Sequence, residues 1–285
     1  MISFGRMAET TFHIRAQDGT RLAGSAWVPR RPKQVIAWIH GFAEHRKRYA
    51  HLANWMNEER VALVAIDVRG HGESDGKRGY VHLFSDYFWD VSALLHYVRE
   101  NFQKVPVSIG CHSHGGLIVS RYLEENPPPV DLKCAVFSAP FLGLPPDFPP
   151  WKRKLGDAVA GLVPGLSVPT GIDAKYISHD TKIQALYAGD PTIFKTATVR
   201  WFSEVLNAQA AALSRSPRIR LPAIVLQGMA DRIVSVDASR RFYEDLPSDK
   251  KKWVPYRGLY HEILNETNRL EVYKEIYKYI KKFGR

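Results

Sequence analysis

The sequence predicts an α/β fold, a doubly wound and mostly parallel sheet with an inserted helical segment. Three observations carry that expectation. Short continuous apolar runs, such as Val35–Ile39 and Val61–Ile66, end at glycine, aspartate or histidine and alternate with segments of helical periodicity. Runs of this kind belong to strands covered on both faces, as in parallel sheets. The alternation breaks once, from Phe141 to about Pro217, and then resumes. A gap of that size exceeds ordinary loop lengths and marks an insertion with its own role.

The elements follow in order. Thr10–Arg15 and Arg21–Val28 flank Gln17-Asp18-Gly19-Thr20, and Asp-Gly between alternating segments signals a hairpin at an antiparallel edge. Val35–His40 is the first buried strand, and a helix follows at about Tyr49–Glu59. Val61–Ile66 is the next strand, ending at Asp67. In Asp86–Asn101 the apolar Val91, Leu94, Leu95 and Val98 mark one helical face. Val105–Ile109 leads into Ser113, and a helix-like run, Leu117–Leu123, leads out. Cys134–Ser138 is the strand before the break. After it come a strand at Ala223–Gln227, a helix near Ser235–Leu246, a strand at Lys252–Tyr256 and a final helix near Glu266–Lys282. The core is thus expected over residues 1–140 and 218–285. The insertion, 141–217, is expected to be mainly helical, with no clean strand.

Composition narrows the function classes. A chain of 285 residues with 45% hydrophobic and 24% charged residues has the make-up of an ordinary soluble globule with a sizeable core. The net charge of +11 fits nucleic acid, an anionic membrane surface or solubility alone. Basic residues are scattered, and no recognition helix or RNA-binding motif accompanies them, so nucleic acid is not an expected partner. Two isolated cysteines, Cys111 and Cys134, form neither a disulfide framework nor a zinc site. They suit a reducing, cytoplasmic compartment. Met1–Arg15 lacks the apolar core of a signal peptide, and no run of about 18 apolar residues exists.

Chemistry concentrates at Ser108-Ile109-Gly110-Cys111-His112-Ser113-His114-Gly115-Gly116. A serine on a tight strand-to-helix corner has its hydroxyl pushed clear of the backbone at the C-terminal edge of a sheet. Gly115 and Gly116 supply the small residues such a corner needs. Cys111 stands where G-x-S-x-G has its first glycine, and being small it leaves the turn feasible. A serine hydroxyl needs a base, and the base an orienting partner. Asp231, after Ala223–Gln227, and His261, after the last strand, sit where partners belong in an open α/β sheet. Ser113, Asp231, His261 is the chain order of the α/β-hydrolase fold. Asp237 is the alternative carboxylate, at a helix position suited to capping. Backbone N–H groups of His114 and Phe42 are the expected oxyanion donors, and the Phe42 side chain is expected to line the acyl pocket. His112 and His114 flank the serine in a tight turn, so their rings are expected to point away from it. His40 is expected to brace the loop carrying Phe42. Glu44 and His45 suit loop ordering or contact with a polar head group. Asp67, at a strand end, is expected to be satisfied by Arg69 and His71.

Several motifs together resemble one family. His40-Gly41-x-x-Glu44-His45-x-x-Arg48-Tyr49 is similar to the signature of monoacylglycerol lipases and related lysophospholipases. So are Asp67-x-Arg69-Gly70-His71-Gly72-x-Ser74, the corner around Ser113, Gly228-x-x-Asp231-x-x-Val234 and His261-Glu262-x-x-Asn265-Glu266. Within the insertion, Ile177-Ser178-His179-Asp180 followed by Tyr187-x-x-Asp190-Pro191 agrees. The resemblance runs in order from about Thr10 to the C-terminus, and Cys111 is its one departure at the corner. It implies a serine ester hydrolase with a lid, acting on monoacylglycerols or similar single-chain lipids, with no metal or organic cofactor.

Leu155, Val159, Leu162 and Val163 have the spacing of one helical face. That face either rests on the core or opens as a lid to bind lipid. Trp151 beside Lys152-Arg153-Lys154 suits peripheral contact with an anionic interface. The rival readings are a lysophospholipase, a general carboxylesterase and a catalytically silent hydrolase fold that only binds. A peptidase of the proline-iminopeptidase kind is disfavoured, because no carboxylate pair for a free amino group stands out in the sequence.

Overall fold

The computed structural model describes residues 9–149 and 163–284. Eight strands form one sheet: β1 Glu9–Arg15, β2 Arg21–Trp27, β3 Gln34–Ile39, β4 Val61–Ile66, β5 Val107–His112, β6 Leu132–Ser138, β9 Ala223–Gly228 and β10 Lys252–Tyr256. Their spatial order is β1-β2-β4-β3-β5-β6-β9-β10. The β1–β2 and β2–β4 pairs are antiparallel, and every other pair is parallel. The hairpin turns through Gly19 at φ +85°, where an L side chain is disfavoured. Pro255, which cannot donate to a ladder, lies in an edge strand.

The apolar runs are continuous because each strand feeds two cores. Val35, Ala37 and Ile39 of β3 face one cluster, with Val64, Ile66, Ile109, Cys111 and Phe137. Ile36 and Trp38 face the other, with Leu63, Ala65, Val136, Ile224 and Leu226. The first face is covered by α2 (Asp86–Asn101), α3 (His114–Glu125), α5 (Val199–Arg215) and α6 (Val236–Asp245). The second is covered by α1 (Ala50–Glu58) and α7 (Arg269–Phe283). Each fully buried aliphatic side chain in these layers contributes about 1.5–3 kcal/mol.

Helix α3 starts at His114, three residues before the apolar run suggests. Two glycines open it, and close packing selects them over better helix formers. A Cβ on Gly115 would lie 2.4 Å from the Ile39 carbonyl oxygen, and one on Gly116 would lie 2.6 Å from Pro140 Cβ.

The segment between β6 and β9 corrects one expectation. Among the described residues it contains helices α4 (Thr181–Gly189) and α5, but also an antiparallel ribbon, β7 Ser167–Pro169 with β8 Thr196–Thr198. Strands of three residues show no period, and Pro169 disguises one of them. Trp201, Val205, Ala208 and Ala212 of α5 belong to the main core. Ile177, Tyr187 and Ile193 form a small separate cluster. Leu155, Val159 and Leu162, with Trp151 and Lys152–Lys154, lie outside the described residues.

Candidate active site

Ser113 follows β5 at the middle of the sheet and precedes α3, with φ +51° and ψ −117°. A non-glycine residue there is strained, and the surroundings hold it. Ser113 N–H donates to the Ser138 carbonyl (3.0 Å), while Phe141 N–H and Gly116 N–H donate to the Ser113 carbonyl (2.9 and 2.8 Å). Cys111 is accommodated, fully buried, with Sγ 3.2 Å from the Val136 carbonyl oxygen. Burial pushes its thiol well above the usual range.

Asp231 follows β9 and His261 follows β10, so three strand ends bring the three side chains together. His261 Nε2 is 2.8 Å from Ser113 Oγ. His261 Nδ1 is 2.8 Å from Asp231 Oδ2. The carboxylate is held by Ile233 N–H (2.8 Å) and Val234 N–H (3.1 Å) on Oδ1, and by Gln227 Nε2 (2.9 Å) on Oδ2. Burial opposes charge on both His261 and Asp231. Their mutual attraction outweighs it, so the imidazole pKa is raised above 6.5 and the carboxyl pKa is lowered. Asp237, the alternative, lies exposed in the first turn of α6.

The loop after β3 is braced from below. Val68 N–H donates to His40 Nε2 (3.0 Å), which leaves His40 Nδ1 to donate to the Gly41 carbonyl (2.7 Å). Glu44 accepts from Gly41 N–H and the Tyr49 hydroxyl (both 2.5 Å) and from Arg48 (3.0 Å). Phe42 N–H and His114 N–H donate to no acceptor among the described residues. The Phe42 ring packs on Trp201, with centroids 3.9 Å apart.

Asp67 is satisfied differently from the sequence expectation. Its carboxylate accepts from Arg46 N–H (2.7 Å), the Arg46 guanidinium and Glu73 N–H (2.8 Å). Arg69 instead grips Asp90 and reaches Asp18. His71 Nδ1 bonds the Arg69 carbonyl. The loop-ordering role expected of this motif fits, with Arg46 as the partner.

A cavity of about 830 Å³ opens from Ser113 and His261. Phe42, Leu144, Phe148, Trp201 and Phe202 give it apolar walls. Glu44 and Glu262 lie at its polar side. Arg48 bonds both, gripping Glu262 through two nitrogens (2.7 and 2.8 Å). Two carboxylates 218 positions apart thus share one guanidinium, a pairing that does not stand out in the sequence. The expectation for His112 is corrected. His112 lines the cavity and its ring lies 4.8 Å from the His261 ring, centroid to centroid, while the His114 ring does point away, packing on Tyr87, Phe84 and Trp201.

The His261 loop is clamped to the insertion. Glu266 accepts from His179 N–H (3.0 Å) and Tyr260 N–H (3.0 Å) and pairs with His179 Nδ1, and Ser178 Oγ donates to the Asn265 carbonyl. His45 pairs with Asp190 at 2.8 Å. The motifs around 177–180, 190 and 261–266 are thus parts of one interlock. Among the described residues no His, Cys, Asp and Glu group suits a metal ion, and no helix is long and apolar enough to cross a membrane.

Known proteins resemble this chain along most of its length. The family model described as serine aminopeptidase, S33, matches residues 30–268. A monoacylglycerol lipase of Mycolicibacterium smegmatis is 28% identical over 264 residues, covering 92% of this chain and 93% of that protein. The monoglyceride lipase of Rattus norvegicus is 30% identical, covering 89% of this chain and 84% of that protein. The crystal structure of Paleococcus ferrophilus monoacylglycerol lipase superposes with a TM-score of 0.83 at 27% identity, covering 92% of this chain and 99% of that one.

Proposed function

We infer that this chain, a lipid ester hydrolase that belongs to the serine aminopeptidase S33 family and has the α/β-hydrolase fold, cleaves monoacylglycerols or similar single-chain lipid esters through an acyl-enzyme on Ser113. One observation carries the reading: the Ser113–His261–Asp231 chain, bonded at 2.8 Å at each link, opens onto a cavity with apolar walls. The cavity volume falls in the range of about 300–1,000 Å³ found for small-molecule sites. His261 takes the Ser113 proton as Oγ attacks the ester carbon, then delivers it to the departing alcohol. Phe42 N–H and His114 N–H, uncommitted within the described residues, receive the oxyanion. Asp231 keeps the Nδ1–H tautomer and stabilises the imidazolium. Residues 141–149 and 163–217 act as a cap beside the catalytic groups. Arg48 occupies the Glu44–Glu262 pair, which disfavours that pair as a site for a substrate ammonium group.

The test is a substrate panel run side by side: monoacylglycerols, lysophosphatidylcholine, p-nitrophenyl esters from short to long, and aminoacyl anilides. Monoacylglycerol should have the highest kcat/KM, and the anilides should not turn over. A preference for lysophosphatidylcholine reassigns the chain as a lysophospholipase. Turnover of short esters alone reassigns it as a general carboxylesterase, and aminoacyl anilide turnover overturns the ester reading.

The pH profile follows from the raised His261 pKa. The base must be neutral, so activity falls as pH drops through that pKa. The acid limb of kcat/KM is therefore expected to have its midpoint above the ordinary histidine value of about 6.5. A rate that stays flat between pH 5 and 8 contradicts a histidine base.

The mouth supports contact with lipid surfaces. Leu166 and Val168 line the cavity yet are 45% and 41% exposed, and the chain carries +11. Adsorption to anionic vesicles should weaken as salt rises. Binding indifferent to salt would remove the electrostatic part of this reading.

A further inference from the structure

His112 sits on the cavity wall beside the proton path and takes no part in it. It is the last residue of β5 and is 3% exposed. Its Nδ1 lies 3.1 Å from the Ser138 carbonyl oxygen and 3.2 Å from Ser138 Oγ. A carbonyl oxygen offers only lone pairs, so a hydrogen bond to it takes the proton on Nδ1 and leaves the lone pair on Nε2, the tautomer assigned here. No hydrogen bond among the described residues engages that Nε2. Burial, with the neighbouring His261 adding to it, pushes the pKa down to about 3, so the ring is a neutral acceptor at working pH.

The second half-reaction needs such a group. Once the alcohol has left, a water must point one O–H at His261 Nε2 and its oxygen at the acyl carbon. Its other O–H then faces the cavity wall. Leaving that hydrogen unpaired in a partly dry site disfavours the reactive orientation. The His112 and His261 rings lie 4.8 Å apart, centroid to centroid, and are tilted by 47°. A water making two ordinary hydrogen bonds bridges nitrogens roughly 4.5–5.5 Å apart.

We propose that His112 Nε2 accepts the second hydrogen of the deacylating water and so orients it for attack on the acyl-enzyme. The proposal rests on the acyl-enzyme reading above. The water oxygen forms the new C–O bond, and its first proton passes to His261 Nε2. The carbonyl π pair moves to the oxyanion, which collapses and expels Ser113 Oγ. Oγ recovers the proton from His261, and the fatty acid leaves. His112 accepts a hydrogen bond throughout and carries no proton.

Methanol tests this, because it has one O–H and needs no second acceptor. p-Nitrophenyl butyrate is turned over in water with added methanol, and the ratio of methyl ester to acid is measured for the wild type, His112→Phe and His112→Leu. That ratio does not depend on the fraction of enzyme folded. In both variants hydrolysis should fall about tenfold, the effect of one hydrogen bond, while methanolysis persists. The ratio should rise by the same factor, and a burst of p-nitrophenol should appear as deacylation becomes limiting. His112→Gln, which returns an acceptor at similar reach, should restore most of the wild-type ratio. A ratio unchanged in a variant that still labels with a fluorophosphonate overturns the proposal, since a merely disturbed His261 slows both acceptors alike. If the wild type itself neither labels nor forms methyl ester, the acyl-enzyme reading fails, and the water-orienting role falls with it.

Discussion

Replacing Ser113 by alanine lowers kcat by roughly 10⁶-fold and leaves the Tm nearly unchanged. Losses of this order follow removal of one member of a cooperating serine–histidine pair. The two halves of the expectation have separate causes. Among the described residues the hydroxyl makes one hydrogen bond, with His261 Nε2. The corner itself is held by backbone bonds from Ser113 N–H to Ser138 and from Phe141 and Gly116 to the Ser113 carbonyl, all of which alanine keeps. Alanine also tolerates φ +51° about as well as serine does. The variant should therefore be folded, bind substrate and resist fluorophosphonate labelling. Turnover near the wild-type level in a folded Ser113→Ala variant would remove the serine mechanism altogether. A large drop in Tm would show that the hydroxyl serves the corner's stability as well.

The sheet was legible because its strands obey local rules. Val35–Ile39 and Val61–Ile66 are apolar at every position, and the two cores that share them explain why. The chain order of Ser113, Asp231 and His261 was legible for a related reason. Each lies within a few residues of a strand end, and parallel strands place all such ends on one edge. Partners chosen across the fold were not. Asp67 pairs with Arg46 rather than with Arg69 two residues away, because Arg69 turns toward Asp90 on α2. Arg48 reaches Glu262 across 214 positions. Charge pairing at that distance depends on which loops meet, and no spacing encodes it.

His112 shows how a local rule misleads. A tight turn after a strand suggests that the flanking rings diverge from the serine. The strand register decides instead. Gly110 faces Trp38, on the sheet face that α1 and α7 cover, and His112, two residues on, shares that face. At the strand end it reaches the His261 ring. His114 is already in α3 and packs into the aromatic cluster of Phe84, Tyr87 and Trp201. The ribbon of β7 and β8 was hidden by its length, since three residues cannot establish alternation.

Asp231→Asn is expected to lower kcat by about 10⁴-fold, the size of effect known for the equivalent change in another serine–histidine–aspartate site. The geometry gives the reason. Asparagine keeps one oxygen for Ile233 N–H and Val234 N–H, which hold Oδ1 at 2.8 and 3.1 Å. Its amide nitrogen must then occupy the place of Oδ2, facing His261 Nδ1. A donor there favours the tautomer with its lone pair on Nδ1 and its proton on Nε2. The imidazole presents N–H to Ser113 and cannot take its proton. Gln227 Nε2, which donates to Oδ2, meets a second donor and must turn its amide over. The pH profile separates this from simple misfolding. Without the carboxylate, burial of His261 is opposed only by the smaller pull of Glu262 and Glu44, so its pKa falls and the acid limb of the residual activity moves to lower pH than in the wild type. A residual rate within tenfold of wild type, with its limb unmoved, would mean that Asp231 does not set the state of His261.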